Sequence, residues 1–323
     1  MSISLEAFAC EPLDFSKIRS ETVTETGCFF SKATGSEVKY SVTFPAGYQG
    51  KQESKIPYAL FLHGRGGTEK QFEQFGGKEA VDQYVGTGGT PFLVIALDEP
   101  KHSYWKNGVK DEFGTLQMIT EDAISHFDKT VPGGAREAKD RAIMGISMGG
   151  HGSVFSTMKR PDLFGQLYAI SPVFRAEDGL EPQDRPAFGS GSQFLANDPR
   201  SLAEDRSSKG LSPIPIDRFH VEIGNEDSFL RNNSSTHQFL KMLQEKYGSS
   251  RIEMHRSGGH DGTYWKGALG RAIQFLGEGF SDKEKQTEVF IIEDCENQFA
   301  TGKEEDQKMF RFFSEYLKAA TSI

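Results

Sequence analysis

The run Arg141-Ala142-Ile143-Met144-Gly145-Ile146-Ser147-Met148-Gly149-Gly150-His151-Gly152 sets a serine in a G-x-S-x-G frame. A serine hydroxyl is a poor nucleophile at neutral pH. It needs a base beside it and an acid that orients the base. An apolar stretch precedes this serine and a helical pattern follows it, which is the strand–turn–helix context of a nucleophile elbow. The elbow turns so sharply that its neighbours must be small, and Gly145, Gly149 and Gly150 meet that demand. A bare G-x-S-x-G arises easily in a chain with 35 glycines, so the flanking pattern carries the weight.

An elbow of this kind implies that the acid and then the histidine follow the serine, each on a loop after a later strand. Gly224-Asn225-Glu226-Asp227 follows the apolar run 219–223, and Ser257-Gly258-Gly259-His260-Asp261-Gly262 follows the run 252–255. Asp227 is the expected acid, with Glu226 its competitor, and His260 is the expected base. Of the eight histidines, His220 and His255 fall within strand patterns, and His126 and His237 within helical ones. Asp261 reads as a helix N-cap.

An oxyanion hole requires two backbone N–H groups aimed at developing negative charge. Met148, next after the serine, supplies one. The glycine-rich stretch His63-Gly64-Arg65-Gly66-Gly67 supplies the other through Arg65. The Arg65 guanidinium could touch substrate or sit in solvent. Tyr104 and Trp105, on a loop after the run ending near Asp98, are expected with His63 to contact substrate, with ordinary packing as the alternative. Tyr264 and Trp265 read as packing residues of the last core helix.

The elements that must position these groups follow from periodicity. Residues 22–45 alternate, with Val38, Tyr40, Val42 and Phe44 on one face, as in an antiparallel hairpin. Continuous apolar runs at 58–63, 92–97, 142–147, 167–171, 219–223 and 252–255 suit strands buried on both faces. Stripes such as Leu116, Ile119, Ala123, Ile124, Phe127 and Val131 mark helices between them. The alternation predicts an α/β-hydrolase fold: a mostly parallel central sheet of about eight strands with helices on both faces.

Residues 1–323 read as a single such domain, with two departures from its rhythm. Residues 174–217 are rich in Pro, Gly, Ser and charge, and form a lid-like excursion with a helix opening at Asp198-Pro199. Residues 281–323 form a C-terminal extension. It has a strand-like stretch at 289–292, then an amphipathic helix bearing Met309, Phe312, Phe313, Tyr316, Leu317 and Ala320. That stripe calls for burial on its own domain or in a homodimer.

Composition excludes several partners. The net charge is −9 with no dense Lys/Arg run, which argues against nucleic acid and anionic membranes. No apolar run approaches the ~20 residues that span a bilayer. The N-terminus lacks a cationic signal region, so a cytoplasmic location is the expectation. Three widely spaced cysteines read as free thiols, with a Cys10–Cys28 bridge left open. No cofactor and no metal is implied; the partner is a small-molecule ester.

The G-I-S-M-G-G-H-G elbow, the H-G-x-G-G loop at His63, the G-N-E-D loop and the G-H-D segment running to Trp265 together resemble the esterase D family over residues 22–278. That family includes S-formylglutathione hydrolases, feruloyl and acetylxylan esterases, enterochelin esterases and antigen 85 mycolyltransferases. The resemblance implies Ser147 as nucleophile, Asp227 as acid, His260 as base, and the Arg65 and Met148 amides as oxyanion hole. The sequence departs from the family in its tail beyond residue 281 and in the 101–108 loop, which lacks a formylglutathione hydrolase signature. Hydrolysis of a small or medium ester through an acyl-enzyme is the expected activity. Acyl transfer of the mycolyltransferase type is the alternative, and a catalytically silent binding protein is the alternative of another class.

Overall fold

A computed structural model describes residues 13–51, 55–99, 102–134 and 136–299, excluding the side chains of 232–233 and 282–299. Its centre is one eight-stranded sheet in the order β1-β2-β4-β3-β5-β6-β7-β8. The strands are β1 (Val23–Ser31), β2 (Ser36–Phe44), β3 (Tyr58–Leu62), β4 (Leu93–Leu97), β5 (Arg141–Ile146), β6 (Gln166–Ile170), β7 (Arg218–Glu222) and β8 (Ile252–Glu253). β1 and β2 form the expected hairpin, and β2 joins β4 antiparallel. From β4 through β8 every pairing is parallel. Strands β3, β4, β5 and β6 are buried along their whole lengths, which is why their sequences are apolar without alternation.

The helices are α1 (Gln71–Gln74), α2 (Gly77–Gly86), α3 (Thr115–Gln117), α4 (Ile124–Thr130), α5 (Met148–Lys159), α6 (Arg185–Phe188), α7 (Ser192–Asn197), α8 (Pro199–Ser208), α9 (Ser235–Tyr247) and α10 (Gly262–Phe299), with a π-helical turn over Met118–Ala123. Parallel crossovers are right-handed, so the direction of travel along the sheet fixes the face each helix covers. The chain steps one way from β3 to β4, then the other way from β4 to β5 and onward to β8. This puts α2 on one face and α4, α5, α8 and α9 on the other. α10 leaves the far strand and returns to the α2 side. There Phe75 meets Trp265 edge-on at 5.1 Å, and Tyr84 occupies the space a Cβ on Gly277 would need. The reversal makes a topological switch point between β3 and β5, and ligands of such sheets bind outside the carboxyl ends of the strands there.

Residues 174–217 leave the sheet after β6 and carry α6, α7 and α8. The Asp198 carboxylate accepts from the Ser201 N–H at 3.0 Å and so opens α8 where the Asp-Pro pair predicted. Phe188, Phe194 and Ala203 anchor the excursion in the core.

Three findings differ from expectation. Residues 289–292 lie within α10 rather than in a strand; a four-residue apolar run does not by itself separate strand from helix. β8 is two residues long, so Met254 and His255 fall on the loop beyond it. Cys28 is in a disulfide rather than free, and its partner lies outside the described side chains. Disulfides persist in oxidising environments, which removes support from a cytoplasmic location. Among the described residues no helix is long and apolar enough to cross a membrane. The fold divides into a unit ending at Glu278 and a second from Gly279. The amphipathic stripe at 309–320 lies outside the described residues.

Candidate active site

Ser147 sits between β5 and α5 with φ 56° and ψ −114°, a conformation that side-chain-bearing residues rarely adopt. Hydrogen bonds hold it there. Its N–H donates to the Ile170 carbonyl at 2.9 Å, and its carbonyl accepts from the His151 N–H at 3.0 Å. The turn is closed so tightly that a Cβ at Gly145 would overlap the Gly149 carbonyl, and one at Gly149 the Leu62 carbonyl.

His260 reaches this serine from the loop after β8, and Asp227 reaches His260 from the loop after β7. His260 Nε2 lies 2.8 Å from Ser147 Oγ, and His260 Nδ1 lies 2.7 Å from Asp227 Oδ2. With a proton on Nδ1 the ring would donate to Asp227, and Nε2 would accept from the hydroxyl. Asp227 is fully buried, and its Oδ1 accepts from the Phe229 N–H at 2.9 Å. The two loops are knitted together: Asn225 N–H donates to the Arg256 carbonyl at 2.9 Å, and Glu226 N–H to the Gly258 carbonyl at 3.0 Å. The imidazole is held between the rings of Phe229, at 4.8 Å, and Trp265, at 5.1 Å. The competing acid, Glu226, is exposed and accepts from Ser257 Oγ at 2.8 Å. Asp261 accepts from the Thr263 and Tyr264 N–H groups, capping α10 as expected.

The 63–67 loop runs beside the elbow; a Cβ at Gly64 would stand 3.3 Å from the Ser147 Cβ. Met148 opens α5, so its N–H is one of the first-turn donors that no helix carbonyl reaches. Gln71 holds the loop from behind: its buried side-chain oxygen accepts from the Gly64 N–H at 2.6 Å. A glutamine in a short polar helix gives no sequence signal for this role.

The residues expected to contact substrate are all buried. His63 is buried: Nδ1 bonds the Gly64 carbonyl at 2.7 Å and Nε2 accepts from the Glu99 N–H at 2.9 Å. Trp105 is fully buried, stacks edge-on against His63 at 4.9 Å, and donates from Nε1 to the His63 carbonyl at 3.1 Å. Tyr104 is buried against His151 and Phe188, with its hydroxyl accepting from Arg65 at 2.9 Å. All three brace the loops around the serine from within, because their polar atoms are consumed by backbone and neighbours. His102, Tyr104 and Trp105 all have φ above 50°, and such strain persists only where the surroundings over-determine it.

The Arg65 guanidinium turns toward the excursion, bonding Asp184 Oδ1 at 2.5 Å and Glu181 Oε2 at 3.3 Å. Under α5, Lys106 is fully buried; its Nζ donates to the Asn197 carbonyl at 2.6 Å and lies 3.2 Å from the Phe188 ring centre. Burial holds the Lys106 ammonium well below its ordinary pKa, with Asp198 opposing. Burial likewise holds His151 well below the ordinary histidine value, and nearby Lys106 adds to the effect. His151 Nδ1 bonds the Val173 carbonyl at 2.9 Å. Among the described residues no group of three His, Cys, Asp or Glu side chains could hold a metal ion.

Fold and site together place the molecule among the α/β-hydrolases. The sequence model of the family described as putative esterase matches residues 31–276, and the chain belongs to that family. A curated relative, an endo-1,4-beta-xylanase/feruloyl esterase of Xylanibacter ruminicola, is 26% identical over 151 residues, 44% of this chain. The chain's match spans 20% of that relative's length. Among solved structures, the fluorophosphonate-binding serine hydrolase FphF of Staphylococcus aureus superposes with a TM-score of 0.62 at 18% identity, covering 79% of this chain and 98% of its own. An S-formylglutathione hydrolase from Agrobacterium tumefaciens gives 0.62 at 17%, covering 82% and 98%. A ferulic acid esterase from Anaeromyces mucronatus gives 0.55 at 17%, covering 84% and 96%. These likenesses are of fold.

Proposed function

We propose that this chain is a serine carboxylesterase acting on a small or medium ester through an acyl-enzyme. The observation that carries the reading is the unbroken line Ser147 Oγ, His260, Asp227, with contacts of 2.8 and 2.7 Å. In the proposed reaction, Ser147 Oγ attacks the ester carbonyl carbon as His260 Nε2 takes its proton. Asp227 fixes the tautomer and stabilises the imidazolium that forms. The carbonyl oxygen becomes an oxyanion, which the Arg65 and Met148 N–H groups receive. Collapse breaks the bond to the alcohol, which leaves with the proton from His260. Water, deprotonated by the same imidazole, then attacks the acyl-serine and releases the acid. No cofactor enters this scheme.

The excursion at 174–217 bonds two residues of the loops after β3 and β4. Its bonds to Arg65 and Lys106 support the reading that it shapes the substrate site. A fluorophosphonate probe tests the proposal. Covalent labelling at Ser147, with matching loss of p-nitrophenyl ester turnover, is expected. An unlabelled Ser147 in folded protein overturns it.

A further inference from the structure

Arg175 leaves the carboxyl end of β6 four residues after Ser171 and stands at the start of the excursion. Its guanidinium carbon lies 5.5 Å from the centre of the Phe229 ring, and that ring packs at 4.8 Å against His260. The charge therefore stands one aromatic ring away from the histidine of the site. Its side chain is 21% exposed, so it reaches solvent while most of it is enclosed. Its Nε is buried without a hydrogen-bond partner. Among the described residues its one ion-pair partner, Glu181, is at the 4.0 Å limit of such a pair. Arg200 shares this condition, with a buried unpartnered Nε and carboxylates at 3.8 and 3.9 Å, but three other partly buried arginines are served far better. Arg271 donates twice to Glu222, Arg19 twice to Glu25, and Arg65 bonds Asp184, Glu181 and Tyr104. A planar guanidinium with free donors matches a carboxylate in two-point contact.

Glu181 explains how this cation is tolerated without substrate. One of its oxygens accepts from Arg65 at 3.3 Å and the other faces Arg175 at 4.0 Å. The Glu181 side chain is 46% exposed, so its hold on Arg175 is weak and screened.

We propose that Arg175 determines specificity by receiving a carboxylate carried on the ester substrate, with Glu181 as the internal competitor that this carboxylate displaces. The inference rests on the esterase reading and names the substrate class of that site: esters bearing a carboxylate some distance from the scissile bond. The carboxylate could belong to the acyl part or to the alcohol part, and two substrate pairs separate these. Mono-4-nitrophenyl adipate against 4-nitrophenyl hexanoate places the charge on the acyl side. 3-Carboxyphenyl hexanoate against 3-carbamoylphenyl hexanoate places it on the leaving group.

In one of the two pairs the wild-type protein should favour the charged ester in kcat/KM by about tenfold, the worth of one charge-assisted contact. Arg175→Gln should abolish that preference, chiefly by raising KM for the charged ester. Glu181→Gln should move the ratio the opposite way, lowering KM for the charged ester. An Arg175 that merely braces Phe229 and His260 would lower kcat on charged and neutral esters alike. A charged-to-neutral ratio unaltered by both substitutions overturns the inference while leaving the esterase reading in place. Absence of turnover on every ester, with Ser147 unlabelled by fluorophosphonate, overturns the esterase reading itself.

Discussion

At the scale of single residues, the serine proposed to react depends on its partners more than on its own chemistry. Its hydroxyl lies 2.8 Å from one imidazole nitrogen of His260, and the buried Asp227 carboxyl group lies 2.7 Å from the other. Ser147→Ala should lower kcat by ~10⁴-fold or more if the three act as a unit. Asp227→Asn should cost a similar ~10⁴-fold, because an amide can hold the ring in the wrong tautomer. Steady-state kinetics on a p-nitrophenyl ester, with circular dichroism to show that the variants remain folded, checks both. Ser147, Asp227 and His260 were legible in the sequence because strand order dictates their order along the chain. That Tyr104, Trp105 and His63 are buried was not legible, for a physical reason. An aromatic on a loop at a strand's carboxyl end looks the same in sequence whether it lines a pocket or plugs the space behind one. Only the consumption of the Trp105 N–H by the His63 carbonyl, and of both His63 nitrogens by backbone, separates the two. Arg175 and Gln71 gave no signal: Arg175 meets Phe229 far along the chain, and Gln71 bonds Gly64 only seven residues away but from a short helix with no telling pattern.

At the scale of elements, the elbow and the first turn of α5 form a joint with no slack. Gly149→Ala would drive a methyl group into the Leu62 carbonyl, backbone against backbone. Overpacking of this kind should cost about 3 kcal/mol and displace the 63–67 loop that brings in Arg65, so activity and stability fall together. Urea unfolding alongside ester turnover tests that coupling. The same helix carries a pH liability. Burial depresses the His151 pKa from the ordinary 6.5, while an unfolded chain would restore it. Below about pH 6.5 the unfolded state therefore binds more protons than the folded one, and stability must fall as pH falls. Above that value the two states bind equally and the effect vanishes. His126 and His220 are also lowered by burial and act with the same sign. Melting temperature should drop between pH 7 and pH 5, and His151→Gln should flatten that slope. An equal slope in the variant would show that the other histidines carry the effect.

At the scale of the whole molecule, the sheet was legible because parallel strands buried on both faces write themselves as apolar runs, whereas the helices on either face follow from crossover handedness alone. The tail was less legible. Its short apolar run at 289–292 sits among residues of good helix propensity, and it is helical. Every residue proposed for catalysis lies at or before His260, and the sheet that positions them is complete at Glu253. A chain lacking 281–323 should therefore keep its fluorophosphonate labelling at Ser147 and its turnover of neutral esters. The apolar stripe of Met309, Phe312, Phe313, Tyr316 and Leu317 still has to be covered by something. If two copies cover each other, light scattering should find the full chain at twice the mass of one copy and the shortened chain at the mass of one. If the stripe is covered within its own chain, both should run as single copies and the shortened chain should melt at a lower temperature. A shortened chain with unchanged mass and unchanged melting temperature would show that the stripe stabilises neither arrangement.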